Sequence, residues 1–209
     1  MYDALLFDLD GTLVDTESLA VTSGHAAFVA VGHPVRIEFL HGLVGMDGPS
    51  SAKIILEHRP AVNIDALDAA WRTGFAAAMA QGLTLKPGVT ELLAQALHLP
   101  RALVTSSRRA DAHKKLGMVG LERSFAQVVT VDDVTRAKPH PDPYLLAASL
   151  LGVAPSRCLV FEDSEAGAEA AHSAGCVVVQ VPDVVPSQGR WAHHLAVDLL
   201  SGARLAGLI

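Results

Sequence analysis

The chain has 209 residues, of which 50% are hydrophobic and only 18% are charged, and this composition can supply a sizeable buried core. The 22 acidic residues outnumber the 16 basic ones, and the lysines and arginines form no cluster, which argues against nucleic acid as a main partner. Cys158 and Cys176 both lie in apolar stretches, so we interpret them as free thiols of a protein from a reducing compartment, the cytoplasm. The first residues enter an apolar run directly, so we expect neither a signal peptide nor a membrane partner.

The apolar run from Ala4 to Phe7 predicts a buried strand. It ends in two carboxylates two residues apart, Asp8 and Asp10, and then in Gly11. The carboxyl end of a parallel strand is where an open α/β sheet places its ligand. An ordinary Asp-Gly turn after a strand explains the same residues, so the rest of the chain has to decide between the two interpretations.

Residues 15 to about 82 carry helical patterns and no convincing strand. Helices are predicted over residues 15–31, 38–43 and 50–58. A fourth helix is predicted from an apolar stripe that recurs every four residues, at Leu67, Trp71, Phe75 and Met79. Such a stripe is typical of helix packing rather than of a cofactor site.

Helices and strands alternate after a boundary at residues 85–88. Strands are predicted over residues 101–105, 127–131, 157–161 and 177–181, with a weaker one near 195–197. Helices are predicted over residues 89–97, 109–116, 143–151 and 164–174, the second of them ending at Gly117, and the chain is expected to finish in a terminal turn. This alternation indicates right-handed βαβ units in a parallel sheet. We therefore predict an α/β fold: a doubly wound, Rossmann-like parallel-sheet core of residues 1–14 and 86–209, interrupted after its first strand by a small α-helical cap domain of residues 15–85.

Polar residues follow the next three core strands in turn: Thr105, Ser106 and Ser107, then Lys138, then Glu162 and Asp163. Because parallel strands end at the same edge of a sheet, we expect these residues to meet beside Asp8. Taken singly, helix caps explain the first and third groups, and an exposed lysine explains the second. The occurrence of all of them in order, each after its own strand, favours a functional site.

These residue types suit phosphoryl transfer. Asp8 can attack phosphorus and carry the phosphoryl group as an aspartyl phosphate. A divalent cation that bridges Asp8, Asp163 and the substrate phosphate would offset the repulsion between them, and Mg²⁺ suits this ligand set. Lys138 can bind phosphate and hold Asp8 in place. Asp10 can protonate the leaving oxygen and later deprotonate water.

Phosphate oxygens need further donors as charge spreads over them during the transfer. The Thr105 hydroxyl and the backbone N–H groups of Leu9 and Ser106 are the predicted donors.

Four motifs in this order resemble those of the haloacid dehalogenase superfamily, specifically its β-phosphoglucomutase-like phosphatase branch. They are FDLDGTL at residues 7–13, VTSS at 104–107, KPHPD at 138–142 and FEDSEAG at 161–167. The resemblance covers nearly the whole chain. It implies that Asp8 is the nucleophile and Asp10 the general acid and base. It also implies Mg²⁺ on Asp8, Asp163 and the carbonyl of Asp10, support of this metal site by Glu162, and a helical cap that closes over the site.

Single residues bear on the reaction type within this family. Asp10 favours phosphate esters, because the dehalogenases and phosphonatases of the superfamily lack this second aspartate. The sugar phosphomutases usually carry a histidine where Ala20 stands here, and the loop that begins at Gly45 lacks their arginine for a second phosphate. Both departures favour hydrolysis, and a β-phosphoglucomutase-type mutase is the alternative.

The sequence thus predicts a Mg²⁺-dependent phosphatase, a phosphoric monoester hydrolase, that is a monomer or a weak homo-oligomer. Its partner would be a small phosphorylated metabolite such as a sugar phosphate. The alternative from another class is a phosphorylatable regulatory or binding relative, which the complete motif set disfavours. The candidate substrate contacts are Thr16, Gly45, Met46, Arg72 and Arg108, although both arginines are equally explained as solvated surface charges.

Overall fold

The chain divides into two compact units in a computed structural model, which describes residues 1–44 and 48–209. One unit comprises residues 1–15 and 84–209, and the other comprises residues 16–83. Two of the candidate substrate contacts, Gly45 and Met46, lie outside the described residues. No helix in the described ranges is long and apolar enough to cross a membrane.

The first unit contains a parallel sheet. Its strands are β1 (Ala4–Phe7), β2 (Arg101–Val104), β3 (Gln127–Val129), β4 (Cys158–Glu162), β5 (Val177–Gln180) and β6 (His194–Leu195). They are ordered β3-β2-β1-β4-β5-β6, and every neighbouring pair is parallel. The chain moves outward from β1 to β3 and then returns to the other side of β1 with β4. This order confirms the predicted doubly wound sheet and places its topological switch point between β1 and β4.

The central strand β1 is buried along its whole length. Leu6 pairs with Ala102 on one side and with Val160 on the other. Phe7 stacks on Phe161, with 5.1 Å between the ring centroids. A strand covered on both faces has no polar face, so its sequence is continuously apolar rather than alternating. Full burial of a large apolar side chain such as Leu6 or Phe7 stabilises the fold by about 1.5–3 kcal/mol, and this burial anchors the strand that leads to Asp8.

In its described residues, 16–44 and 48–83, the second unit consists of helices and the loops between them, with no strand. Its helices are α1 (Glu17–Ala30), α2 (Ile37–His41), α3 (Gly48–His58) and α4 (Ile64–Gln81). In the α4 stripe, Leu67 and Met79 are buried, and the indole of Trp71 donates to the Ala20 carbonyl at 2.9 Å. The Trp71 ring also meets the edge of Phe28 at 6.3 Å. The stripe is therefore helix-packing core, as predicted.

The helices of the α/β unit are α5 (Val89–Gln95), α6 (Arg109–Met118), α7 (Asp142–Leu151), α8 (Glu165–Ser173) and α9 (Leu199–Leu205). Helix α8 begins where the Ser164 hydroxyl accepts a hydrogen bond from the Gly167 N–H at 3.1 Å. Helix α7 ends at Gly152, which adopts the left-handed conformation. The capping serine and the terminal glycine are both short-range sequence signals of a helix end. The predicted positions of these two helices agree with the structure to within one residue.

Several predicted boundaries differ from the structure by two residues, and two of these differences have a local cause. Helix α6 continues through Gly117 to Met118, because the capping glycine is Gly120, at φ +71°. The N–H of Leu121 then reaches back to the carbonyl of Leu116, as in a Schellman cap. Strand β3 stops at Val129, because residues 131–133 form a 3₁₀ turn. The side chain of Asp133, the last residue of this turn, stabilises it.

The C-terminal segment was also predicted incompletely. A terminal turn was expected, but the chain forms the two-turn helix α9. The Asp198 carboxylate caps its first turn by accepting the N–H of Ser201 at 2.6 Å, and the Ser201 hydroxyl accepts the N–H of Asp198 in return. This reciprocal cap explains why a short segment is helical.

Candidate active site

The carboxyl edge of the sheet at the switch point carries an ionic cluster. Asp8 follows β1, Glu162 is the last residue of β4, and Asp163 follows it. Carboxylate oxygens of these three residues lie within 4.8 Å of one another. Lys138, which precedes α7, places its Nζ 2.7 Å from Asp8 Oδ1 and 2.5 Å from Glu162 Oε1. The structure therefore brings together four of the residues predicted to form the site.

Lys138 is held from three sides. Its Nζ also donates to the carbonyl of Val104, at the end of β2, at 2.8 Å. Its side chain is only 5% exposed. Burial lowers the pKa of Lys138, but the carboxylates of Asp8 and Glu162 outweigh burial and hold that pKa above its usual value. The ammonium group therefore stays charged and fixed at the end of β1 and β2.

Asp8 lies almost completely out of water. Burial, opposed by the ammonium group of Lys138 and assisted by the charges of Glu162 and Asp10, raises the pKa of Asp8 to about 7. Near neutral pH the carboxyl group is thus poised between its two forms. An additional positive charge beside it would favour the carboxylate, which is the nucleophilic form.

The cluster fits a divalent cation. The three carboxylates lie close together, and Lys138 pairs with only two of them, Asp8 and Glu162. The buried charges are therefore not balanced when all are ionised, and unbalanced buried charge is costly. Carboxylate oxygens are the ligand type that Mg²⁺ prefers. Asp163 also accepts the Thr12 hydroxyl at 3.3 Å, which orients its carboxylate. The cluster of Asp8, Glu162 and Asp163 could therefore hold such an ion.

Glu162 forms an ion pair with Lys138 and is completely buried. The Tyr144 hydroxyl donates to Glu162 Oε1 at 2.6 Å, and Lys138 Nζ lies 5.2 Å from the centroid of the Tyr144 ring. Burial, followed by the charge of Glu162, raises the pKa of Tyr144 well above its ordinary value, so the phenol remains a donor. The sequence analysis missed Tyr144, because a tyrosine two residues into a helix carries no signal of its partner.

Two glycines allow the backbone to approach the acids. A Cβ at Gly11, which has φ +80°, would overlap the carboxylate of Asp163. A Cβ at Gly167, in the first turn of α8, would overlap the carboxylate of Glu162. The glycines of the first and fourth motifs therefore have a steric reason to be there.

The second motif forms a tight turn after β2. Thr105 is buried, and its Oγ1 accepts the N–H of Ser107 at 3.0 Å, which leaves the hydroxyl proton available for a phosphate oxygen. Ser106 is exposed, and Arg108 is exposed at the start of α6. The side chain of Leu9 is buried in the core.

Asp10 is engaged by Ser107, which belongs to the second motif but was given no role of its own, and by Lys115, which the sequence analysis did not assign to the site. Lys115 Nζ lies 2.6 Å from Asp10 Oδ1 and 2.8 Å from Oδ2. The Ser107 hydroxyl donates to Asp10 Oδ2 at 2.7 Å. Lys115 comes from α6 and is one of two adjacent lysines, so its spacing alone could not distinguish it from Lys114.

Two candidate substrate contacts lie in the described part of the helical unit. Thr16 is buried immediately before α1. Arg72 pairs with Asp68 at 3.0 Å, one turn earlier in α4, and their side chains are 74% and 56% exposed. Within the helical unit, Arg72 therefore takes part in an exposed intrahelical ion pair.

Comparison with known proteins identifies the family. A family model described as haloacid dehalogenase-like hydrolase matches residues 2–175. Hexitol phosphatase A of Escherichia coli (strain K12) is 36% identical over 189 residues, which cover 84% of this chain and 81% of the relative. Fructose-1-phosphate phosphatase YqaB of the same strain is 32% identical over 184 residues, or 86% and 96% of the two chains. The crystal structure of a candidate β-phosphoglucomutase from Thermotoga maritima matches with a TM-score of 0.81 at 27% identity, over 99% of each chain.

The protein therefore belongs to the haloacid dehalogenase-like hydrolase family, in its β-phosphoglucomutase-like subfamily. It is an enzyme that falls among the phosphatases of this family, which are phosphoric monoester hydrolases. The resemblance of the four motifs thus led to the correct family.

Proposed function

We propose that the protein is a Mg²⁺-dependent phosphatase that hydrolyses a small phosphomonoester through an aspartyl phosphate on Asp8. The observation that carries this proposal is the buried contact of Lys138 with Asp8, beside Asp163, at the switch point of the sheet. A lysine and a carboxylate cluster at this edge can bind a phosphate dianion next to a nucleophile. Asp8 and Asp163 would hold Mg²⁺ together with the carbonyl of Asp10, and the bound ion would supply positive charge against the phosphate oxygens.

In the first step the Asp8 carboxylate attacks phosphorus, and the bond from phosphorus to the leaving oxygen breaks. Asp10 gives its proton to that oxygen, so the alcohol leaves neutral. Lys138 and the Thr105 hydroxyl face the charge that spreads over the phosphoryl oxygens, with the backbone N–H groups of Leu9 and Ser106 as further donors.

In the second step Asp10, now a carboxylate, takes a proton from water. The water oxygen attacks phosphorus, the bond from phosphorus to Asp8 breaks, and inorganic phosphate is released. Asp10 is again protonated and Asp8 is again a carboxylate, so the cycle closes without another reactant.

The substrate is proposed to be a small phosphorylated metabolite, with sugar phosphates as the leading class. Support comes from the names of the two relatives, one a hexitol phosphatase and the other a fructose-1-phosphate phosphatase. We propose the helical unit, residues 16–83, as the cap of this enzyme, with Thr16, Arg72, Gly45 and Met46 as its candidate substrate contacts. Arg108 is the candidate contact from the α/β unit. The two buried free thiols support a location in the reducing cytoplasm.

The first experiment measures hydrolysis of p-nitrophenyl phosphate with Mg²⁺ by the wild-type enzyme and by Asp8→Asn. Loss of the nucleophile should lower kcat by roughly 10³-fold or more. Equal rates for the two proteins would refute the covalent mechanism. A panel of phosphorylated metabolites, ranked by kcat/KM, then identifies the substrate.

A mutase remains the second candidate, because the Thermotoga maritima structure is described as a β-phosphoglucomutase candidate. Incubation with β-glucose 1-phosphate and a bisphosphate primer separates the two functions. Formation of glucose 6-phosphate would indicate a mutase, whereas release of inorganic phosphate supports the phosphatase. Ala20 stands where a mutase usually carries a histidine, and we therefore expect phosphate release.

A further inference from the structure

Asp10, Ser107 and Lys115 form a closed triangle of hydrogen bonds. Lys115 Nζ donates to both carboxylate oxygens of Asp10, and it also donates to the Ser107 hydroxyl at 2.9 Å. The Ser107 hydroxyl in turn donates to Asp10 Oδ2 at 2.7 Å. Three elements meet here: the loop after β1, the turn after β2, and α6. The carboxylate of Asp10 therefore accepts hydrogen bonds from two donors, Lys115 and Ser107, which belong to different parts of the α/β unit.

The triangle is not an ordinary surface ion pair. The Lys115 side chain is 13% exposed, and that of Asp10 is 29% exposed. Lys114, its neighbour in α6, is exposed. A lysine at a helix surface usually extends into water, because ordering its long side chain costs conformational entropy. Lys115 instead directs its ammonium group to the loop after β1 and to the second motif.

We propose that Lys115 is a positioning residue for the proton transfers of Asp10, and this proposal rests on the proposed phosphatase function. Lys115 contacts both oxygens of one carboxyl group and so fixes its plane, and Ser107 fixes its rotation from the side. In the first step the bond from phosphorus to the leaving oxygen breaks, its electron pair stays on that oxygen, and the oxygen takes the proton of Asp10. The transfer is efficient only when the carboxyl group points at that oxygen, since an error of about 1 Å can cost about 10²-fold in rate.

The proposal predicts which substrates depend on Lys115. An alkyl phosphate such as glycerol phosphate needs a proton on its leaving oxygen, whereas p-nitrophenolate leaves without one. The value of kcat/KM covers the steps up to release of the leaving group, and kcat also includes hydrolysis of the aspartyl phosphate, in which Asp10 takes a proton from water. Misplacement of Asp10 should therefore lower kcat/KM for the alkyl phosphate only, and should lower kcat for both substrates.

The experiment compares Lys115→Met with Lys114→Met, a matched variant that removes the same charge from the adjacent position of the same helix. For Lys115→Met we expect kcat/KM for glycerol phosphate to fall by about 30- to 100-fold. With p-nitrophenyl phosphate, kcat and KM should fall together, so that kcat/KM stays within about threefold of wild type. Rapid mixing should then show a burst of p-nitrophenolate close to one per active site. Lys114→Met should match the wild type in every measurement.

Two further variants separate positioning from loss of structure. Lys115→Arg keeps the charge and should recover part of kcat/KM for the alkyl phosphate. Adding Lys115→Met to Asp10→Asn should cause little further loss, because both changes remove the same contribution. Thermal unfolding shows that each variant is folded before its kinetics are compared.

The outcomes are distinct. Equal losses of kcat/KM on the two substrates, or no loss on either, would overturn the positioning role while the wild type remains a phosphatase. A wild-type enzyme that hydrolyses neither substrate would instead overturn the proposed function.

Discussion

Lys138 and Asp8 form an ion pair of 2.7 Å whose side chains are 5% and 10% exposed, respectively, at the end of the central strand. The same ammonium group lies 2.5 Å from Glu162, whose side chain is completely buried. One lysine thus forms ion pairs with two carboxylates, and all three side chains are almost completely buried. The stability of the α/β unit and the reactivity of Asp8 therefore depend on the same few atoms.

Removal of this lysine should damage folding as well as catalysis. Lys138→Met leaves Asp8 and Glu162 without their common partner, and breaking a buried pair on one side costs about 3–5 kcal/mol. Urea unfolding should show this loss, and phosphatase activity should disappear. Lys114→Met, which removes an exposed charge, should change the free energy of unfolding by less than about 0.5 kcal/mol. Equal unfolding midpoints for the two variants would show that the buried pair contributes nothing to stability.

The pKa of Asp8 predicts a pH dependence of stability in metal-free protein. This pKa is raised to about 7, whereas an unfolded aspartate titrates near about 3.9. Between about pH 4 and about pH 7 the native state binds more protons than the unfolded state, so stability falls as the pH rises through this window. Asp8→Asn lacks this titration. Its advantage in unfolding free energy over the wild type should grow from pH 5 to pH 7, by at most about 1.4 kcal/mol per pH unit.

The comparison is made in EDTA by denaturant unfolding at several pH values. Addition of Mg²⁺ should then stabilise the wild type more than Asp8→Asn, because the ion favours the carboxylate that the variant lacks. Parallel stability curves for the two proteins would contradict the raised pKa. Equal stabilisation of both by Mg²⁺ would contradict a role of Asp8 as ligand.

Tyr144 should stabilise the site through its hydroxyl. Tyr144→Phe keeps the ring and removes the donor to Glu162, leaving a completely buried carboxylate with one partner fewer. We expect a loss of about 1–3 kcal/mol in the free energy of unfolding. Tyr2→Phe is a matched control, because the Tyr2 hydroxyl donates to the backbone carbonyl of Ala206 at a partly buried position. A larger loss for Tyr2→Phe than for Tyr144→Phe would be against the expectation.

Two alanine substitutions at helical glycines should act in opposite directions. In Gly167→Ala the new methyl group collides with the carboxylate of Glu162, which Lys138 and Tyr144 hold in place, so the protein should lose about 1–3 kcal/mol. In Gly74→Ala, inside α4, the nearest atom to the new Cβ is 3.7 Å away. That variant should gain about 0.4–1 kcal/mol by restricting the unfolded chain. Thermal or urea unfolding checks both, and equal signs would refute the steric reason for Gly167.

Much of the fold followed from local sequence signals. The continuous apolar runs of β1 and β4 predicted strands covered on both faces, and Ser164 and Gly152 marked helix ends through contacts within a few residues. One error, at the end of α6, came where two local signals competed. Gly117 and Gly120 both lie near the end of α6, and only the hydrogen bonds of the finished cap select the second.

The sequence by itself determined that the site residues come at the ends of three strands of one parallel sheet: Asp8 and Asp10 after the first, Lys138 after the third, and Glu162 and Asp163 at the fourth. Strand order and strand direction place these ends at one edge. Only the tertiary structure decided which side chains complete the cluster. Tyr144 and Glu162, which are in contact, lie 18 positions apart in the sequence, and Lys115 and Asp10 lie 105 positions apart. Such pairs depend on where helices α6 and α7 pack against the sheet. A sequence pattern records the period of a helix, but it does not record which polar side chain of its buried face meets a carboxylate.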